Sequence, residues 1–378
     1  MSQTDERAAL CALNRIFGYR PVLGHGLIRT AGSPAAVFSL KNLQIPQEPD
    51  LAGKVTQEAL DQAGAELERL REKGFRFIGY GEEGYPPLLA ECPDPPLGLY
   101  LNGTTPPAEV FGSRPSVAVV GTRDVSSYGR EWCRRIVEAF SDARIRPLVV
   151  SGLAFGTDGI AHQTALEEGL PTVGVMATGI DTVYPFRHTA LAVRIVGTRG
   201  CALVTDYPPG TAPLAPHFIR RNRIIAGLCG ATVVVESRSR GGSLITAKYA
   251  CDYDRDVYAL PGRVDDVRSE GCNSLIRTRM ADIITTPEDL ADRLGLQPGR
   301  RRNRKGLLDL LTGRYGPDAP ATRLALLVRE HRGATFAELA RLTGWSWSEV
   351  SRTAAVLEGD GILETDVLQR CSINGKNS

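Results

Sequence analysis

The apolar positions of this chain change rhythm twice. Up to about residue 73 they recur at helical spacing, with Leu10, Leu13, Ile16 and Phe17 in one stretch. Ala59, Leu60, Ala63, Leu67 and Leu70 line one face of an amphipathic helix expected from about Val55 to Lys73, and Gly74 is placed to stop it. Ser33-Pro34 reads as an N-cap with proline in the first helical position, opening a short helix to Phe38. From Phe75 to about Asp292 the pattern becomes short apolar runs separated by helical stretches. Strands are expected at 75–79, 98–101, 116–120, 147–150, 172–176, 202–205, 231–235, 257–260 and 283–284. Runs such as VAVV, LVV and TVVV do not alternate, so both faces of the sheet must be covered, as in a parallel sheet clad by helices. The fold class expected is α/β, a doubly wound Rossmann-like sheet, and such sheets bind ligands beyond the carboxyl ends of their strands.

The rhythm changes again near residue 297. Arg300, Arg301, Arg302, Arg304 and Lys305 occupy a stretch flanked by Pro and Gly that reads as a linker over 297–319. Beyond it, Thr335 with Glu338 and Ser346 with Glu349 form two capping boxes, each opening a short helix. Gly361 ends the second, and residues 362–373 can form a β-wing, which is the order of a winged helix. The chain therefore divides into a helical domain (1–73), an α/β domain (74–296), a basic linker (297–319) and a winged helix (320–378).

Composition narrows the function classes. With 378 residues, 42% hydrophobic and 23% charged, the chain can bury a sizeable core, which excludes a disordered protein or a coiled coil. Its apolar runs fall far short of the roughly 20 residues that span a bilayer, and Asp5, Glu6 and Arg7 stand where a signal peptide would be apolar. A cytoplasmic protein without a membrane partner is expected. Eight cysteines lie no closer than 21 residues apart, so no metal-ligand spacing exists, and the thiols should stay reduced. The net charge is only +2, and an excess of arginine over lysine (39 to 6) is what a GC-rich genome produces. Placement carries more information: no acidic residue occurs between Asp206 and Glu236, where Arg220, Arg221 and Arg223 cluster beside His217.

Three strand-end loops can hold an anion. Gly121-Thr122-Arg123 follows VAVV, and a strand-to-helix turn of small residues presents backbone N–H groups that Arg123 can supplement. Gly152, Gly156 and Gly159 follow LVVS at G-x3-G-x2-G spacing, which is not the dinucleotide fingerprint; no Gly-Lys-Ser/Thr follows to make a Walker loop. Gly241-Gly242-Ser243 follows TVVVE and opens a helix containing Lys248. Between them, Phe218 precedes Arg221-Asn222-Arg223, an aromatic beside cations that suits a base stacked over a phosphate chain. Asp158 and His162, four apart, could pair as acid and base, but an aspartate at a helix start is already explained by capping. No nucleophile with a base and an orienting partner stands out, so no catalytic residue, cofactor or metal is expected.

VAVVGTRDVSSYG, VSGLAFGTDGIAHQTAL, ATGIDTVYP, YPPGTAPLAPHFIRRNRIIAGL, GGSLITAKYA, YALPG and EGCNSLIR, in this order, resemble the DNA-processing protein A family (DprA/Smf) over about residues 75–290. Residues 1–73 are similar to its N-terminal sterile-alpha-motif-like helices, and 320–378 to its winged helix. The resemblance implies an extended Rossmann-fold protein that binds single-stranded DNA, forms a homodimer and loads a RecA-type recombinase in natural transformation, without being an enzyme. Carried over by motif, Arg123, Arg221, Asn222, Arg223 and the Gly241–Ser243 loop would hold the DNA backbone, and Phe218 would meet a base. The strand-end reading adds Gly121, Gly152 and Lys248. Three positions depart from the family pattern: Ile219 where Pro is common, Ala215 where some members have Lys, and His188 closing YPFRH. Two rival readings belong to other classes. A nucleotide-processing enzyme of the lysine-decarboxylase-like group lacks support because its PGGxGT signature is absent. A winged-helix regulator of duplex DNA would have to use residues 347–358, where Arg352 is the lone base beside Glu349 and Glu358.

Overall fold

The computed structural model describes residues 3–40, 43–46, 48–112, 114–297, 307–331 and 333–373. The Arg300–Lys305 cluster lies outside the described residues. The chain divides into two compact units, residues 1–125 with 136–299 and residues 126–135 with 300–378.

All nine expected strands form, each boundary within one residue of the sequence reading: β1 Arg76–Gly79, β2 Gly98–Asn102, β3 Ser116–Val120, β4 Leu148–Ser151, β5 Thr172–Val175, β6 Ala202–Thr205, β7 Ala231–Val234, β8 Asp256–Ala259 and β9 Asp282–Ile283. They make one sheet in the order β1-β2-β6-β5-β4-β3-β7-β8-β9. From β6 to β9 every pairing is parallel, but β1 and β2 pair antiparallel with each other, and β2 with β6. The difference from a wholly parallel sheet has a physical source. The link between β1 and β2 contains only the four-residue helix Pro87–Ala90, too little for the helical crossover that parallel neighbours require.

Successive strand residues serve opposite cores. Ile78, Leu101, Val173 and Val204 pack with Ile224 and Ile225 on one face. Phe77, Tyr100 and Leu203 pack on the other with Leu10, Leu13 and Phe17 of the helix Gln3–Phe17. Both faces being apolar is why the runs do not alternate. It also makes the N-terminal helices a covering layer of the sheet, since each of those buried side chains contributes roughly 1.5–3 kcal/mol relative to exposure. Their caps follow the sequence: Ser33 Oγ accepts from Ala36 N–H ahead of Pro34–Val37, and Thr56 caps Gln57–Glu72, which is followed by Gly74 at φ +75°.

The second unit holds the helices Leu307–Tyr315, Pro320–Glu330, Phe336–Thr343 and Trp347–Gly359, then the antiparallel pair β10 Leu363–Thr365 and β11 Cys371–Ile373. Both capping boxes form. The expected linker is cut short by Leu307–Tyr315, because Leu307 and Leu311 bury against Leu324, Val328 and Leu357. An apolar pair at i, i+4 outweighed the basic run that precedes it.

Candidate nucleic-acid interface

After β3 the chain winds outward through β4, β5 and β6; the helix Ala215–Gly227 then returns it to β7 on the other flank of β3. Neighbouring β3 and β7 thus send their exit loops apart, and a crevice opens where the winding direction switches. A cavity of about 790 Å³ occupies it, within the ~300–1,000 Å³ range of ligand clefts. Its walls are the loop after β3, the loop after β7 and the helix Ala215–Gly227. The lining carries Arg123, Arg221, Arg238 and Arg240 against one carboxylate, Asp158, so the cavity favours an anion.

Phe218, Asn222 and Ile225 face this cavity from the helix, spaced at i, i+4 and i+7 as one helical face requires. Phe218 is half-buried. The Arg123 guanidinium lies over its ring, 5.3 Å from the centroid, and Tyr184 meets its edge at 5.5 Å. Such a cation–π contact holds an exposed arginine in place without neutralising it. The Asn222 amide donates to the carbonyl of Gly242 at 3.2 Å, tying the helix to the loop after β7. There Ser243 Oγ donates to Ser237 Oγ at 2.9 Å, and the helix Gly242–Asp252 starts on Gly241 with no side-chain cap. Its first-turn N–H groups therefore point their dipole end at the cavity without a resident acceptor side chain.

Arg221 plays a different part from the one its motif suggests. It is 4% exposed, and its guanidinium donates to the carbonyls of Gly152 and Val175. Gly152 has to be glycine for this: a Cβ there would come within 2.6 Å of the guanidinium carbon. Burial lowers the Arg221 pKa to about 10, while the nearby Asp158 carboxylate pulls it back up. Burial likewise raises the Asp158 pKa, against the opposing pull of Arg221 and the Ala154 N–H at 3.2 Å. Arg221 and Asp158 form the floor, with the β4 and β5 exits pinned beneath.

Arg223 does not reach the cavity at all. It is buried and bonds Asp206 at 2.7 Å and the Asp94 carbonyl at 2.6 Å. Arg220 joins the same Asp206 at 3.0 Å, under the rings of Tyr19 and Tyr207. The two arginines expected as phosphate donors are thus internal: Asp206, directly after β6, holds Arg223, and the carbonyls of Gly152 and Val175 hold Arg221. Lys248 is exposed and Gly152 buried; neither lines the cavity, whereas Gly121, Gly241, Gly242 and Ser243 do. Arg238, Arg240 and Tyr184 line it without having been singled out in the sequence; the R-S-R directly before Gly241-Gly242 was the available signal. Asp158 and His162 do not pair: His162 is fully buried, bonds Thr172 Oγ1 at 2.7 Å, and burial lowers its pKa to about 3.

Fold and crevice define a protein of the Rossmann class whose switch-point cavity sets an aromatic wall beside a group of cations. The chain belongs to the DNA recombination-mediator protein A family, which matches residues 76–295. An IclR helix-turn-helix domain matches residues 324–367. Protein Smf of Synechocystis sp. is 38% identical over 232 residues, which are 61% of this chain and 57% of that protein; the chain thus spans less than two thirds of that relative's length. A putative DNA processing protein DprA of Mycobacterium tuberculosis is 32% identical over 354 residues, 89% of this chain and 87% of that one. The crystal structure of DNA processing protein A from Streptococcus pneumoniae superposes with a TM-score of 0.60 at 29% identity, covering 77% of this chain and 98% of that chain. DNA processing protein A from Helicobacter pylori, described for its single-stranded DNA binding mode, shares the fold with a TM-score of 0.51 at 23% identity, covering 58% and 95%.

Proposed function

We propose that this protein binds single-stranded DNA in the switch-point crevice and acts as a recombination mediator, passing the strand to a RecA-type recombinase. The observation that carries the reading is Arg123 stacked over Phe218 at the mouth of a cationic cavity. A ring face serves a base only when that base is unstacked, and the flanking cations and helix-start amides suit the phosphates beside it. Phe218 is the base platform. Arg123, Arg238 and Arg240 are the backbone contacts, the Gly241–Ser243 loop supplies amides, Asn222 ties that loop to the helix, and Arg221 holds the β4 and β5 exits. Family membership supports the recombinase partner, a role in natural transformation, a homodimeric state and a cytoplasmic location; no catalytic step is part of the reading. A duplex regulator is less well supported, since the helix Trp347–Gly359 carries Arg352 as its one base and commits Glu349 to capping.

Mobility shift of the full chain with an oligo-dT and with a duplex of equal length tests the proposal. The single strand should bind tighter, and its affinity should fall with salt at a log–log slope of about −0.7 per neutralised phosphate. Equal affinity for the duplex, or affinity indifferent to salt, would refute it.

A further inference from the structure

Asp124 stands next to Arg123, yet its carboxylate is turned to two other cations. Its N–H donates to Thr122 Oγ1 at 3.2 Å, which sets the turn. Its Oδ2 meets Arg268 Nη2 at 3.1 Å and Arg238 Nη2 at 3.6 Å. Arg238 lines the cavity, and Arg268 follows Val267, which lines it too. Two guanidinium groups from separate loops, one after β7 and one after β8, therefore converge on a single oxygen of a carboxylate that is 68% exposed. Exposed ion pairs of this kind are weak and exchange readily with other anions. A phosphodiester carries the same single charge on two oxygens and accepts bidentate arginine forks at least as well.

The structure assigns Arg238 and Arg268 to a further phosphate subsite on the crevice rim, with Asp124 as the internal anion that occupies it until a strand arrives. The ligand is one backbone phosphodiester of a strand held in the crevice, so the inference rests on the single-strand reading above. Binding has to displace the carboxylate or bear its repulsion. Asp124 then sets how tightly the strand is held and how readily it is given up.

Fluorescence anisotropy of the full chain with a labelled oligo-dT, across a salt series, tests this. Asp124→Asn keeps the shape of the turn and removes the charge; at contact distance in water that corresponds to about fivefold tighter binding at low salt. The log–log salt slope should steepen by up to about 0.7 as one more phosphate is engaged. In a background of Arg238→Ala with Arg268→Ala, the same Asp124→Asn change should yield no gain. Asp256→Asn removes an equal charge at the start of β8, the opposite end of the parallel strands, and should leave affinity within about twofold. If the unaltered chain binds no single strand, the single-strand reading itself falls. If it binds but Asp124→Asn gains nothing, or gains as much without the two arginines, or Asp256→Asn gains as much, the subsite alone is refuted.

Discussion

Replacing Arg221 by alanine separates a supporting arginine from a contacting one. The guanidinium is 4% exposed, satisfies the carbonyls of Gly152 and Val175, and faces the buried carboxyl of Asp158. Alanine would take this donor from both carbonyls, remove the larger of the two cationic influences on Asp158, and open a void under the β4 and β5 exits. Leaving two buried carbonyls without this donor costs about 1–3 kcal/mol each, and with the void beneath the strand exits the total comes to about 3–5 kcal/mol. At about 2–4 °C per kcal/mol for a large unit, Tm should fall by roughly 6–20 °C. Scanning calorimetry of the full chain is the assay, with the transition of the Rossmann unit shifting and that of the winged-helix unit staying in place. Arg221→Lys should recover only part of the loss, because an ammonium keeps the charge near Asp158 and can donate to both carbonyls but does not fill the space the planar guanidinium occupies against Gly152. Arg123→Ala is the contrasting case: its side chain is exposed, so Tm should hold within about 2 °C while DNA affinity falls. An Arg221→Ala protein that melts with the wild type and loses only affinity would overturn the assignment of Arg221 as a support.

Two further outcomes follow from the same geometry. Phe218→Ala should weaken oligo-dT binding by about 1–3 kcal/mol, the range for one stacked base, while Phe218→Tyr keeps the ring face and should cost little; equal losses in an anisotropy titration would exclude stacking. His162, with its pKa lowered from the ordinary 6.5 to about 3 in the folded chain, stays neutral while the unfolded chain takes up a proton, so stability is unaffected above pH 6.5 and declines below it by up to about 1.4 kcal/mol per pH unit. Urea unfolding between pH 6 and pH 4 should give a shallower decline for His162→Gln, and parallel declines would show that the buried imidazole is not the group responsible.

How much of this was legible in the sequence divides along one line. The strands were readable because burial on two faces leaves unbroken apolar runs, and the loops at Gly121–Arg123 and Gly241–Ser243 were readable because small residues at a strand exit have few structural uses. The antiparallel pairing of β1 and β2 was not, since it depends on a link whose one short helix, Pro87–Ala90, is too small for a parallel crossover. Nor was the burial of Arg221 and Arg223. An acid-free window from 207 to 235 reads as an exposed cationic patch, but the counter-charges lie outside it: Asp206 lies 17 residues before Arg223, and the Asp94 carboxylate, at 3.7 Å, 129 before.

The helical period held the missing clue. Phe218, Asn222 and Ile225 lie on one face of the helix Ala215–Gly227, and Arg223, five residues after Phe218, sits about 140° round from it. A side chain there must point into the protein or away from the crevice, so the run Arg220–Arg223 cannot present all its cations to one ligand. Its division of labour then makes physical sense. Arg220 and Arg223 share the buried Asp206, and Arg221 is held by the carbonyls of Gly152 and Val175, so all three side chains are committed inside the fold. The exposed Arg123, Arg238 and Arg240 can then crowd around one cavity without the added repulsion of Arg220 and Arg223, whose charges Asp206 meets. Phe218 draws Arg123 against its ring, and Asp124 draws Arg238 and Arg268 together. A polyanion arriving at the crevice meets guanidinium groups already gathered, so the cost of assembling like charges has been met in folding rather than in binding.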